Sequence, residues 1–144
     1  MSLYLDTNIF IYSTDPKSPY FDLCRVFLGK VANEGLEVVT SVETLQEIVH
    51  YFKSLGKIDK ALSVCKSVFG VVDLVLPLDL EVVDIYMGLV KKYGEIKKID
   101  SRDFIHLAVC INEKIATIVT YDKGYTLVKE VMARKPEDLM GEIN

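Results

Sequence analysis

Short apolar runs alternate along the chain with longer stretches in which apolar residues recur every three or four positions, the two periodicities of strand and helix. Leu3-Tyr4-Leu5 heads the first run, and residues 2–6 read as a strand. After a turn around Pro16 and Pro19, a helix over residues 20–33 places Phe21, Cys24, Phe27, Leu28 and Val31 on one face, and Gly35 closes it. Leu36–Thr40 reads as a second strand. Thr40-Ser41-Val42-Glu43 has capping-box spacing and starts a helix with Leu45, Ile48, Val49 and Phe52 together. A helix over 58–69 aligns Ile58, Ala61, Leu62, Cys65 and Val68, and Val71–Leu76 follows as a third strand. Asp79 is placed to cap a helix over 80–93.

Asp100-Ser101-Arg102-Asp103 repeats the capping-box spacing ahead of a helix that is apolar nearly all round, through Phe104, Ile105, Leu107, Ala108, Val109 and Ile111. Such a helix belongs at the centre of the molecule. Ala116–Tyr121 gives a fourth strand, Lys123-Gly124 turns the chain, and the tail after Pro136 adds a short strand or helix. Strand and helix alternating without a linker or repeat imply an α/β sheet covered on both faces. The 144 residues, 50% hydrophobic, fit one domain over 1–144. A domain of that size buries roughly two-thirds of its unfolded surface.

Against this frame the acids stand out. Asp6 and Asp122 end apolar runs that resemble strands of a buried parallel sheet, while Glu47 and Asp103 sit on helices. If the strands are parallel neighbours, their carboxyl ends share one edge, where ligands of open α/β folds bind. Two carboxylates about 4 Å apart at an effective dielectric near 20 repel by roughly 4 kcal/mol, a penalty that a bound cation removes. Oxygen ligands without a His or Cys set favour Mg²⁺ or Mn²⁺ over zinc. Mg²⁺ keeps several waters and pairs with phosphate, so the pattern points to metal-assisted phosphodiester chemistry, with water activated by the ion as the nucleophile.

Each acid also has a plainer reading. Asp6, with Thr7 and Asn8, suits a helix start, and Asp103 and Asp122 suit a cap and a turn. Glu47 on a polar helix face is ordinarily solvated. Glu43 and Asp100 are explained by capping, and His50 and His106 read as satisfied helix histidines without a triad partner. Neither a glycine-rich phosphate loop nor a G-x-S-x-G elbow is present, which removes nucleotide and serine hydrolases.

Cys24, Cys65 and Cys110 are odd in number and lie in apolar helical patterns, so they read as reduced core residues. No apolar run reaches membrane-span length, and the first residues enter a strand at once, so the expected location is cytoplasmic. A net charge of −4 argues against binding nucleic acid by bulk positive charge. Lys91, Lys92, Lys97, Lys98 and Arg102 nonetheless form a local basic strip before Asp103, where Lys97, Lys98 and Arg102 are candidate phosphate contacts and a solvated loop is the plainer reading.

The ordered set Asp6-Thr7-Asn8, Glu47 within Ser41–Glu47, Asp103 within Arg102-Asp103-Phe104-Ile105-His106-Leu107-Ala108, and Thr120-Tyr121-Asp122 resembles a PIN-domain nuclease. The resemblance runs from the first strand to Lys135–Leu139, and in size the chain is similar to VapC-type toxins. It implies a PIN-like three-layer α/β/α fold with a parallel sheet of about five strands. It implies an acidic metal pocket of Asp6, Glu47, Asp103 and Asp122 for Mg²⁺ or Mn²⁺, supported by Thr7, Asn8 and Thr120. It further implies an endoribonuclease with an RNA substrate, an antitoxin partner inserting near the pocket, and a homodimer. A PIN nuclease of RNA maturation or quality control, and a non-catalytic PIN-like module binding RNA or protein, share the same residues. Arginine occurs only at Arg25, Arg102 and Arg134, fewer than a strong RNA binder would carry. Apolar residues between about 45 and 70 are a candidate dimer or partner surface, although core packing explains most of them equally well.

Overall fold

The computed structural model describes residues 2–142. The chain runs β1 (Ser2–Leu5), α1 (Thr7–Tyr12), α2 (Phe21–Asn33), β2 (Glu37–Ser41), α3 (Val42–Ser54), α4 (Ile58–Val71) and β3 (Leu74–Leu76). It continues through α5 (Leu80–Tyr93), α6 (Asp103–Asn112), β4 (Thr117–Val119), a 3-10 turn (Lys123–Leu127), β5 (Met132–Arg134) and α7 (Pro136–Met140). The strands form one five-stranded sheet in the order β3-β2-β1-β4-β5, every neighbouring pair parallel. The order starts at the centre and winds outward both ways, as right-handed crossovers with helices on both faces allow.

Strand alternation decides which helix covers which face. Leu3 and Leu5 of β1 point to one side with Val38 and Val119, against Cys24 and Phe27 of α2, Ile48 and Phe52 of α3, and Val64 and Val68 of α4. Tyr4 points to the other side with Val39 and Ile118, against Val82 and Leu89 of α5 and Phe104 and Leu107 of α6. The result is the expected three-layer sandwich, with α6 buried over most of its length. Register pairs Tyr4 with Val39 and Leu5 with Val119, so Asp6, Ser41 and Thr120 leave the sheet at the same edge.

Several local readings change. Helix α1 forms immediately after Asp6, where Ile9 and Phe10 are buried. Val71 and Val72 belong to α4 and its cap, not to a strand: Val72 N–H still reaches the Val68 carbonyl at 3.0 Å. Asp73 is tied to Val38 at both its N–H and its carboxylate, which leaves only Leu74–Leu76 for the edge strand. A valine-rich run carries no period that separates a helix end from a strand. The fifth strand precedes Pro136, and the tail after Pro136 is helix α7 with proline in its first turn, where its missing N–H is harmless.

The box at Thr40–Glu43 does not form. Leu5's carbonyl and the Thr44 hydroxyl occupy the Thr40 hydroxyl, at 2.9 and 2.7 Å, and Ser41 caps α3 without a side-chain bond. Glu43 is therefore buried rather than capping. Of the apolar set between 45 and 70, Leu45, Val49 and Cys65 pack against the core, while Tyr51, Leu55, Ile58, Leu62 and Phe69 stay exposed. Among the described residues no helix is long and apolar enough to cross a membrane.

Candidate active site

Asp6 sits at the corner between β1 and α1, and its two readings hold together. One carboxylate oxygen accepts from Thr7 N–H at 2.8 Å as a cap, and the other accepts from the Thr120 hydroxyl at 2.6 Å and the Asn8 amide at 3.3 Å. Thr120 is the knot of this edge, because its oxygen also accepts from Asn8 at 3.2 Å and from Asp122 N–H at 3.0 Å. Asp122 lies past the end of β4, and its carboxylate accepts from Gly124 N–H at 2.8 Å. Gly124 is required by a close approach, since a Cβ there would stand 2.4 Å from the Lys98 carbonyl oxygen.

Asp103 enters from the first turn of α6. The box predicted at Asp100 is half formed, with Asp103 accepting from Asp100 N–H at 3.2 Å, while the Asp100 carboxylate accepts from Arg102 N–H at 2.9 Å. The other Asp103 oxygen accepts from the Tyr125 hydroxyl at 3.2 Å, and that hydroxyl also lies 3.4 Å from Asp6. Burial, together with the charges of Asp6 and Asp122, pushes the Asp103 carboxyl up to about 7. Burial raises Asp6 as well, against the lowering effects of His106 and Thr120.

Glu47 reaches the same place from α3. Its Oε1 accepts from the Thr7 hydroxyl at 2.9 Å and pairs with His106 Nε2. Burial raises the Glu47 carboxyl, but His106 and Thr7 outweigh it and the net shift is downward. For His106 burial lowers the ring's affinity for a proton, and the bond to Glu47 with the charges of Asp6 and Glu47 reverses that to a net rise. His106 is fully buried, its Nδ1 lies 2.5 Å from the Tyr4 hydroxyl, and Tyr4 lies 2.7 Å from Ser41 Oγ.

Asp6, Glu47, Asp103 and Asp122 together wall one cavity of about 380 Å³, which Thr7, Asn8, His50 and Arg102 also line. Arg102, alone of the basic strip, reaches it. Lys97 and Lys98 are exposed outside the lining, and Lys92 pairs with Glu130 at 3.2 Å. Glu43 is near enough for Glu47 to raise it, after burial. Tyr4, Ser41, His106 and Tyr125 complete the arrangement, and none of them carries a site signal in the sequence as strong as those of the four acids. His106 had one available signal: it lies one helical turn beyond Asp103, on an otherwise apolar helix where an imidazole needs a partner.

The donor set suits a divalent cation. Buried Asp6 and Asp103 and half-buried Glu47 and Asp122 line one cavity with no lysine or arginine but Arg102, and burial, reinforced by the neighbouring charges, raises the Asp103 carboxyl. Asp6, Glu47 and His106 offer ligand atoms within 4.8 Å of one another.

The PIN domain family model matches residues 3–131, the span from β1 to the start of β5. The chain belongs to the PIN-domain family. Ribonuclease VapC13 of Mycobacterium tuberculosis is 26% identical over 123 residues, covering 85% of this chain and 92% of that protein. Among solved PIN-like folds, VapBC2 from Rickettsia felis, bound to a promoter DNA fragment, superposes with a TM-score of 0.74 at 19% identity, covering 94% of this chain and 98% of that one. VapC20 of Mycobacterium tuberculosis, a sarcin-ricin loop cleaving toxin, gives 0.71 at 15% identity over 92% of this chain and 98% of that one. At these identities the two structures bear on the PIN fold alone.

Proposed function

We propose that this PIN-domain protein is a divalent-metal-dependent endoribonuclease that hydrolyses RNA phosphodiesters, acting as the toxin of a toxin–antitoxin pair. The observation that carries the reading is the convergence of Asp6, Glu47, Asp103 and Asp122 on one cavity at the carboxyl edge of the sheet. The name of its relative ribonuclease VapC13 supports the substrate class, and the resemblance to VapC-type toxins supports the antitoxin partner.

Asp6, Asp103, Asp122 and Glu47 would hold Mg²⁺ or Mn²⁺. When bound, the ion supplies positive charge that acidifies a nucleophilic water and offsets charge on the transferring phosphoryl group. The chain's own residues prepare that site. Thr120 and Asn8 fix Asp6, Tyr125 spans Asp6 and Asp103, and Gly124 N–H fixes Asp122. Arg102, in the cavity wall, is placed to draw in a phosphate, and the exposed Lys97 and Lys98 extend that attraction to the flanking strand. Exposed Leu55, Leu62 and Phe69 on and beside α4 are the surface through which two copies would associate.

Cleavage of single-stranded RNA tests the reading. Activity should require Mg²⁺ or Mn²⁺, stop in EDTA, and fall at least a hundredfold in Asp6→Asn and Asp103→Asn, on the order of the loss expected for removing transition-state stabilisation. Full activity in both variants refutes the assignment.

A further inference from the structure

We propose that His106, anchored by Tyr4 and Ser41, is a positioning residue that fixes Glu47 for divalent-ion binding. The inference rests on the metal-site reading above. Glutamate is long and rotamer-rich, and ordering such a side chain costs up to about 2 kcal/mol. Glu47 is ordered through one oxygen only. Its Oε1 takes the Thr7 hydroxyl at 2.9 Å and His106 Nε2, whereas Oε2 has no hydrogen-bond partner among the described residues. One oxygen is saturated and the other is left to the cavity.

The imidazole is itself held. A carboxylate only accepts, so Nε2 carries the hydrogen. In the neutral ring Nδ1 then accepts from the Tyr4 hydroxyl at 2.5 Å, and the Tyr4 oxygen accepts from Ser41 Oγ at 2.7 Å. The Tyr4 and His106 rings also meet edge to face at 5.5 Å, and both residues are fully buried. A core histidine needs only satisfied nitrogens; this one spends Nε2 on a carboxylate of the cavity and lies 3.6 Å from Asp6 Oδ1. The topology makes the relay compact. β1 supplies Tyr4 and leads into Asp6, while α6 supplies Asp103 and, one turn on, His106. The same two elements thus deliver two acids directly and hold a third from α3.

Partners that orient metal ligands typically contribute ten- to a hundredfold to ion affinity. The test is Mn²⁺ binding by calorimetry to the full chain and to His106→Leu, His106→Gln, Tyr4→Phe, Glu47→Gln and the His106→Leu/Glu47→Gln double variant. His106→Leu should weaken Mn²⁺ binding at least tenfold. His106→Gln should recover most of it, because its amide N–H reaches the position of Nε2. The double variant should bind no worse than Glu47→Gln alone. Tyr4→Phe, which removes only a hydroxyl, should give an intermediate loss and carries the test if thermal melting shows that His106→Leu does not fold. Wild-type affinity in His106→Leu, or in Tyr4→Phe when it alone folds, additive losses, or no recovery with glutamine overturns the proposal. So does nitrogen hyperfine coupling to bound Mn²⁺ that disappears in His106→Leu, since His106 would then be a ligand itself. Asp103→Asn with undiminished Mn²⁺ affinity would instead reject the metal site, a result distinct from failure of the relay.

Discussion

Replacing Asp103 by asparagine should stabilise the metal-free protein at alkaline pH while abolishing its response to metal. Asp103 is 9% exposed and its carboxyl is pushed from 3.8 up to about 7, by burial first and then by Asp6 and Asp122. Because the folded state holds this proton more tightly than the unfolded chain, the contribution is fully present only below the unfolded value of 3.8. It is lost as pH rises towards 7, and the loss approaches about 4 kcal/mol once the group is ionised. Asparagine cannot ionise and escapes that loss. It keeps one acceptor, so one of the bonds from Asp100 N–H and Tyr125 is sacrificed at about 1 kcal/mol. The difference is a net gain of about 3 kcal/mol near pH 8 and a net loss of about 1 kcal/mol near pH 3, or roughly 10 °C up and 3 °C down in melting temperature, with a crossover near pH 4.5. Asp6 shares the same field, so these figures belong to the pair. Thermal unfolding in EDTA at the two pH values measures it, and saturating Mn²⁺ should raise the wild-type midpoint far more than that of the variant. Equal shifts at both pH values would refute the argument, because only a charge penalty is pH-dependent in this sense.

Gly124→Ala forces a methyl group to within 2.4 Å of the Lys98 carbonyl and should destabilise the fold by about 1–3 kcal/mol in urea unfolding, with an unchanged midpoint counting against the close approach. Arg102→Ala removes a half-exposed cation from the cavity wall, and steady-state RNA cleavage should show KM raised roughly fivefold with kcat nearly retained; a lowered kcat at constant KM would place Arg102 in the chemistry instead. The proposed association of two copies through α4 predicts that Leu62→Glu with Phe69→Glu runs as a monomer in light scattering while the parent chain runs as a dimer, since both side chains are more than half exposed, at 56% and 60%; equal masses for the two proteins reject that surface.

How much of this was legible in the sequence depends on how far apart the partners lie. Asp6, Thr7 and Asn8 declare themselves locally, and Thr120-Tyr121-Asp122 repeats the signal at a second strand end, so the sheet edge and its polar knot follow from residue order and parallel pairing. The alternation of Leu3, Tyr4 and Leu5 already divides the two cores. Where two local rules compete, the sequence misleads. Thr40-Ser41-Val42-Glu43 satisfies the spacing of a capping box, yet the Thr40 hydroxyl goes to Leu5, far away in sequence, and Glu43 turns inward. The short edge strands β3 and β5, with three residues each, fall below the length at which alternation can be counted.

Glu47 shows why a weak residue in sequence can be strong in the fold. On α3 alone it has only the bland reading of a solvated glutamate, because nothing within a helical turn requires a charge there. Its reason lies in His106 and Thr7, on elements that meet it only after the sheet has closed. Conversely, His106 looks like an unremarkable core residue until Glu47 arrives. Each half of the pair leans on the other: a buried imidazole without an acceptor loses the solvation it gave up on folding, and the half-buried Glu47 carboxylate is left with the Thr7 hydroxyl as its one donor. Removing one partner should therefore harm the fold more than removing both, and the His106→Leu/Glu47→Gln double variant should melt above His106→Leu alone. If the double variant melts lower by the full sum of the single losses, the two side chains are independent and uncoupled.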